Sequence, residues 1–262
     1  MTDAIAPILD LERLSMVFGG LRAIDDVSLH IRSGEICALI GPNGAGKTTI
    51  FNCITGVYDP TEGTVSIQRE GHPREEIQGQ KPNVINRKGL ARTFQNIRLF
   101  NNMTVLENVM IGRHNALKAG IFKAIIRDKA TREEEQRLID DSHEILKKMK
   151  LEVFINETAR NLPYGAQRRL EIARALATDP FLLLLDEPVA GMNPHETREL
   201  EETINLIRER EKVTILLIEH DMSLVMNVSE RIYVLDYGRL IAEGTPHEIK
   251  SNPEVIKAYL GE

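Results

Sequence analysis

The stretch Gly41-Pro42-Asn43-Gly44-Ala45-Gly46-Lys47-Thr48-Thr49 follows an apolar, strand-like run at residues 35–40. Nothing else in the chain limits the fold so tightly. Phosphate oxygens need many hydrogen-bond donors at short range. Gly41, Gly44 and Gly46 let the backbone curl so that successive N–H groups point inward with no Cβ in the way. A helix starting here adds its positive N-terminal end. Lys47 is spaced to reach the β- and γ-phosphates, and the Thr48 hydroxyl to hold Mg²⁺. Strand, glycine loop and helix in this order predict an α/β fold that holds a triphosphate with Mg²⁺.

The 262 residues leave room for one large or two small domains, and 42% apolar content supports an ordinary core. The net charge of −6 excludes an overall basic field that would recruit nucleic acid. Cys37 and Cys53 have neither zinc nor redox spacing. They flank the glycine loop in its strand and helix and read as small core residues in a reducing compartment. No stretch approaches the ~20 apolar residues needed to cross a bilayer. Residues 1–10 are acidic and lack the basic start of a signal peptide. The chain is expected to be soluble or peripheral to a membrane.

The first ~35 residues read as β structure, with Val27, Leu29 and Ile31 alternating with Ser28, His30 and Arg32. Val65 and Ile67 suggest a further strand. Residues 69–88 are polar and aperiodic and predict a surface excursion. From about residue 96 to 165 the text turns helical. Thr131 and Glu134 have capping-box spacing, and Leu138, Ile139, Ile145, Leu146 and Met149 fall on one side of the helix that follows. Residues 181–185 and 213–218 then read as buried strands. Asn193, Pro194 and Glu196 read as the N-cap, N1 and N3 of the intervening helix. Residues 231–235 and 239–242 around Asp236-Tyr237-Gly238 predict a hairpin. Buried strands alternating with helices imply a mostly parallel sheet covered on both faces.

The strand at 181–185 runs into Asp186-Glu187-Pro188, delivering two carboxylates at its carboxyl end, where α/β sheets bind ligands. Asp186 is the expected Mg²⁺ carboxylate and Glu187 the expected general base for an attacking water. The long separation of Lys47 from Asp186 accommodates the helical section and argues against a compact kinase or GTPase. Three further candidates are weaker taken singly. Gln95, after Arg92-Thr93-Phe94 at the end of the first β region, is a candidate Mg²⁺ ligand and γ-phosphate reporter. His220, past the second buried strand, is a candidate to orient the water. Phe18 is a candidate adenine-stacking ring.

Taken in order, the phosphate loop, Gln95, Leu162-Pro163-Tyr164-Gly165-Ala166-Gln167-Arg168-Arg169, Leu185-Asp186-Glu187-Pro188 and His220 resemble the ATP-binding subunit of an ABC transporter over nearly the whole chain. Within that family, Arg92-Thr93-Phe94-Gln95-Asn96-Ile97-Arg98-Leu99-Phe100, the Glu187-Pro188-Val189-Ala190-Gly191-Met192-Asn193-Pro194 loop, Glu219-His220-Asp221-Met222 and the ending from Asn252 to Glu262 are most similar to the larger (LivG-type) ATPase of bacterial branched-chain amino acid importers. Importers of urea or short amides and an ATPase of lipopolysaccharide export share part of the pattern. A non-transport ABC ATPase is the remaining rival, without the coiled coil or second cassette usual there.

The resemblance implies a RecA-like P-loop NTPase core with a mostly parallel sheet, an N-terminal antiparallel β region and an inserted α-helical subdomain. One ATP-binding domain would span 1–262, its core about 1–95 and 166–262 and its helical part about 96–165. It implies nucleotide contacts from Gly41, Pro42, Asn43, Gly44, Ala45, Gly46, Lys47, Thr48, Thr49 and Phe18. Metal contacts would come from Thr48, Gln95 and Asp186, and catalytic groups would be Glu187, His220 and Gln95. Leu162, Pro163, Tyr164, Gly165, Ala166 and Gln167 would close over the partner subunit's ATP in a head-to-tail dimer.

The implied partners are a second ATP-binding subunit, transmembrane permeases docking near residues 96–111 and, indirectly, a substrate-binding protein. No nucleic acid is implied, and the place is the cytoplasmic face of the cell membrane. Pro163 and Tyr164 stand where the family signature has serine and glycine, and Asn193 where it usually has aspartate. Pro163 brings neither hydroxyl nor N–H. A heterodimer with unequal ATP sites is therefore expected, the site closed by Pro163–Gln167 turning over more slowly.

Overall fold

The structure is a computed structural model that describes residues 6–113 and 129–260, with the side chains of 129–132 left aside. The chain opens with the antiparallel pair β1 (Leu9–Phe18) and β2 (Leu21–Ile31). It then enters β3 (Ile36–Ile40), the glycine loop and α1 (Lys47–Ile54). Next come β4 (Glu62–Ile67), β5 (Glu75–Glu76), α2 (Pro82–Arg87) and β6 (Leu90–Arg92). The helical section holds α3 (Val105–Arg113) and α4 (Lys129–Lys148), and α5 (Tyr164–Leu176) leads back to the sheet. The remainder is β7 (Leu182–Asp186), α6 (Pro194–Glu211), β8 (Thr214–Ile218), α7 (Met222–Val228), β9 (Arg231–Asp236), β10 (Arg239–Gly244), α8 (Pro246–Lys250) and α9 (Pro253–Leu260).

Two sheets result. One is antiparallel, in the order β2-β1-β4-β5. The other runs β10-β9-β3-β8-β7-β6, parallel except for the β9–β10 hairpin. Strands β3, β7 and β8 are buried along their whole length, as a sheet covered on both faces requires. Their side chains alternate between two cores. Leu182, Leu184 and Leu216 join α1 and the antiparallel sheet on one face. Leu183, Leu185 and Leu217 join α3, α5 and α6 on the other. Both faces of the strands bearing the acidic pair are therefore packed solid, which fixes the height of their carboxyl ends. Burial also pushes the Cys37 thiol well above its usual range and the Cys53 thiol to about 12, so both stay protonated and inert, as core residues should.

Several expectations are met in detail. The hairpin forms around Tyr237 and Gly238, both at positive φ. Asn193 caps α6 through a full capping box with Glu196, with Pro194 in the first turn. Leu138, Leu146 and Met149 are buried on one side of the helical section. Two expectations need correcting. Residues 69–88 are more than a surface excursion, for they contain β5 and α2, and Ile77 and Ile85 are fully buried. Thr131 does not cap its helix, because α4 already includes Lys129. Gln95 ends the β region that precedes the helical section, as expected, although not on the antiparallel sheet. It follows β6, which pairs in parallel with β7 in the other sheet and so lies beside the acidic pair.

Candidate nucleotide site

The glycine loop curls for steric reasons that can be measured. Gly41 sits at φ +150°, and a Cβ there would lie 2.1 Å from the Leu235 carbonyl oxygen. Gly46, at φ +104°, would press a Cβ to 2.6 Å from Ile24 Cδ1 and 2.7 Å from the Ala23 oxygen. The β9–β10 hairpin braces the loop from behind, with Gly238 N–H donating to Ala45 O at 3.0 Å. The first helical bond of α1 runs from Ile50 N to Gly46 O, and no side chain caps the helix. The N–H groups of its first turn therefore face the loop mouth without an internal acceptor, an anion-binding arrangement. Thr48 is exposed there, and Asn43 and Gly44 are exposed beside it.

Lys47 arches back over this loop. Its Nζ donates to Gly41 O at 2.7 Å and Pro42 O at 2.9 Å. Burial pulls its pKa below the usual lysine value, while the Glu187 and Asp186 charges push it back up. The two halves of the site, far apart in sequence, therefore act electrostatically on one ammonium.

At the end of β7, Asp186 is almost fully buried and Glu187 stands in the left-handed region at φ +47°. Left-handed backbone is costly for a residue with a side chain, and such strain concentrates at functional sites. Glu187 is held there by its own N–H bonding to Ile218 O at 2.9 Å. The Gln95 amide donates to Glu187 Oε2 at 2.8 Å. His220 Nδ1 lies 3.8 Å from Glu187 Oε1, on a side chain 62% exposed. A carboxylate with one oxygen bonded by an amide and the other near an imidazole is well arranged to accept a proton from water. Thr48, Asp186 and Gln95 offer a hydroxyl, one carboxylate and an amide. That donor set fits Mg²⁺, which takes one or two carboxylates and draws its other ligands from phosphate and water.

Phe18 closes β1 at 40% exposure, its ring edge-on to Tyr58 with centroids 5.2 Å apart. It stands before the Gly19-Gly20 turn as a partly open aromatic face. Leu162 is buried and Pro163 is the N-cap of α5, with φ −54° and ψ 152°. Gln167 N–H makes a helical bond to Pro163 O at 3.0 Å, and its side-chain amide reaches back to Leu162 O at 2.9 Å. The N–H groups of Tyr164, Gly165 and Ala166 precede that first bond, so the proline removes a hydroxyl and leaves the helix-start donors in place.

Three groups escaped the sequence reading. Arg92 pairs with Asp186 at 2.8 Å. Arg168, fully buried in α5, donates to Phe94 O at 2.6 Å, Gln95 O at 2.8 Å and Glu171 Oε2 at 2.9 Å. Tyr259 of α9 reaches the glycine loop. Burial raises its phenol pKa, and a backbone hydrogen bond with Gly41 pulls the other way. Both arginines stand inside strings already singled out, but no spacing rule discloses their long-range partners.

Strand, glycine cradle, buried Asp186 and amide-held Glu187 define a P-loop nucleotide-binding ATPase cassette. The family model for the ABC transporter matches residues 24–190, and the chain belongs to that ATP-binding family. A second model, for the branched-chain amino acid ATP-binding cassette transporter, matches residues 239–262. The chain is 52% identical to the high-affinity branched-chain amino acid transport ATP-binding protein LivG of Salmonella typhimurium over 98% of both chains. A solved ATP-binding cassette of an ABC transporter in its ADP conformation is 32% identical, with a TM-score of 0.83, over 98% of this chain and 100% of that one. A dimeric cassette in a post-hydrolysis state, bound to ADP and Pi, is 25% identical, with a TM-score of 0.75, over 91% and 98%.

Proposed function

We propose that this chain is the ATP-hydrolysing subunit of an ABC importer for branched-chain amino acids. The observation that carries the chemistry is the convergence of Gln95 and His220 on Glu187, which itself acts on Lys47 of the glycine loop. Glu187 takes a proton from the attacking water, Gln95 and His220 orient it, and Lys47 with the first turn of α1 grips the β- and γ-phosphates. Bound at Thr48, Asp186 and Gln95, Mg²⁺ would neutralise charge building on the phosphate oxygens. Phe18 stacks on the base. The relatives' names support the amino acid cargo, since their transport role is stated for branched-chain amino acids.

The subunit works in a head-to-tail pair, with the start of α5, residues 162–167, closing over the partner's ATP. A heterodimer is favoured by Pro163 and Asn193, which depart from the usual signature and loop. No helix among the described residues is long and apolar enough to cross a membrane. The transport role stated for its relatives supports a place on the cytoplasmic face of the membrane, against permeases that take their solute from a substrate-binding protein. The helical section, about 96–165, forms the permease side of the single domain. There Val105 and Val109 are buried, while Phe100, Met103 and Ile111 remain exposed for docking.

The test is reconstitution in proteoliposomes with the companion ATPase, two permeases and a binding protein. Leucine uptake should require Mg·ATP and this chain, and the homodimer alone should hydrolyse ATP more slowly than the mixture. Uptake that persists when this chain is left out refutes the assignment. A homodimer that is as fast and fully coupled refutes the asymmetry.

A further inference from the structure

We propose that Arg92 is a positioning residue that occupies Asp186, so that the carboxylate accepts a divalent cation only when the cation arrives with a nucleotide. The inference rests on the reading of Asp186 as the magnesium carboxylate. Arg92 Nη2 lies 2.8 Å from Asp186 Oδ2, with side-chain exposures of 7% and 4%. Nη1 is spoken for as well. It donates to Asn52 Oδ1 at 2.7 Å, on the helix that begins in the glycine loop, and to Thr55 Oγ1 at 3.1 Å, at that helix's C-cap. The guanidinium also lies over the rings of Phe51, at 5.4 Å, and Phe94, at 5.3 Å. One cation thus ties α1, the end of β7 and the approach to Gln95 together. It is fixed by partners on separate elements and cannot swing away cheaply.

The consequence for metal binding is electrostatic. A divalent cation approaching Asp186 meets a carboxylate already half neutralised, with a positive charge a few Å away and little water to screen it. Mg²⁺ surrenders its water reluctantly and needs several oxygen ligands. One shared carboxylate, one hydroxyl and one amide oxygen fall short of that. Phosphate oxygens supply both the missing ligands and the missing negative charge. The cation is therefore expected to load as the nucleotide complex. Arginine suits this post better than lysine, since its charge does not titrate and its planar fork serves Asp186 and α1 at once.

The experiment titrates Mn²⁺, an EPR-visible probe for the same oxygen donors, into the protein without nucleotide. Wild type should show only weak, unsaturable binding. Arg92→Met, and as a second neutral variant Arg92→Gln, should each gain a Mn²⁺ site at least about tenfold tighter, as expected for removing a neighbouring unit charge. Arg92→Lys keeps a cation beside Asp186 and should gain less than the neutral variants. Adding Asp186→Asn to either neutral variant should abolish the gain. A merely structural role for Arg92 moves stability and leaves these titrations unchanged. Tight Mn²⁺ binding by nucleotide-free wild type, neutral variants that gain nothing, or a gain that survives Asp186→Asn each overturn the inference. Asp186→Asn alone separates the two readings. If it leaves Mn²⁺·ATP binding at the wild-type level, the metal role of Asp186 itself is wrong. If it weakens that binding while the neutral Arg92 variants gain no site, only the role given to Arg92 falls.

Discussion

Replacing Arg168 with Met should separate what holds this fold together from what makes it turn over. Arg168 is fully exposed to protein and not at all to water. Its guanidinium satisfies Glu171, which is 2% exposed, and the backbone oxygens of Phe94 and Gln95. Methionine fills similar space but leaves a buried carboxylate with backbone donors such as Arg98 N–H, at 3.1 Å, and two carbonyls without their donor. Breaking a buried pair by removing one partner costs about 3–5 kcal/mol. For a chain of this size each kcal/mol moves Tm by about 2–4 °C, so a loss of about 6–20 °C is expected. The penalty should also depend on pH in a defined direction. Burial already raises the Glu171 pKa, and Arg98 N–H and Arg168 pull it down. Without Arg168 it rises further. A folded-state pKa above the unfolded one gives stability that is fully present at low pH and lost as pH rises through the folded value, so the penalty should be smaller at about pH 5 than at about pH 8. Urea unfolding at the two pH values measures this. The double variant Arg168→Met/Glu171→Leu should recover most of the stability, because no buried charge is left alone. Its kcat should stay low, since Gln95 is still untethered, while nucleotide affinity, set at the glycine loop, holds. Arg168→Met within about 1 kcal/mol of wild type, or a penalty that grows on acidification, would refute the reasoning.

Three further outcomes are expected. Glu187→Gln should bind nucleotide normally while turnover falls about 10²–10⁴-fold, the usual contribution of a general base, and a native rate in a phosphate-release assay would unseat Glu187. Lys47→Ala removes a charged donor worth about 1.5–3 kcal/mol to the phosphates, so equilibrium titration with a fluorescent ATP analogue should show affinity down by about 10- to 150-fold. Gly46→Ala forces a left-handed residue against Ile24 and the Ala23 oxygen. It should destabilise the fold by about 1–3 kcal/mol in thermal unfolding and disable nucleotide binding.

What the sequence disclosed and what it hid divide along a physical line. The glycine loop was legible because its chemistry dictates residue type at each position, and a Cβ at Gly41 or Gly46 has nowhere to go. Strands β3, β7 and β8 were legible because burial on both faces demands unbroken apolar runs, and Asn193 because a capping box is local. Contacts that are neither local nor periodic stayed hidden. Arg92 meets Asp186 across 94 positions, and Arg168 meets the Gln95 carbonyl across 73. The place of Gln95 beside the acidic pair stayed hidden because β6 has only three residues, too few to carry a pairing signature. Ile77 and Ile85 went unnoticed as core because single apolar residues in polar surroundings show no period, although each is buried against the large apolar cluster under α1.

These hidden contacts share a target. The helix α5 reaches Glu187 by two routes. From its interior, Arg168 grips the Gln95 carbonyl, and the Gln95 amide holds Glu187 Oε2. From its start, the Tyr164 ring lies against Gly191 in the loop after Glu187, where a methyl group on Gly191 would sit 3.3 Å from it. Pro163 stiffens that start. Its fixed φ and the extended conformation of Leu162 before it set the angle at which the chain enters the helix. Packed interiors transmit displacement and absorb little of it. A shift of α5, such as an anion settling on its free N–H groups would produce, must therefore be felt at the strained carboxylate of the same subunit. In a head-to-tail pair that anion belongs to the other subunit's nucleotide. In such a pair the state of one ATP site would bear on the proton acceptor of the other through Arg168, a side chain buried too deeply to meet either nucleotide.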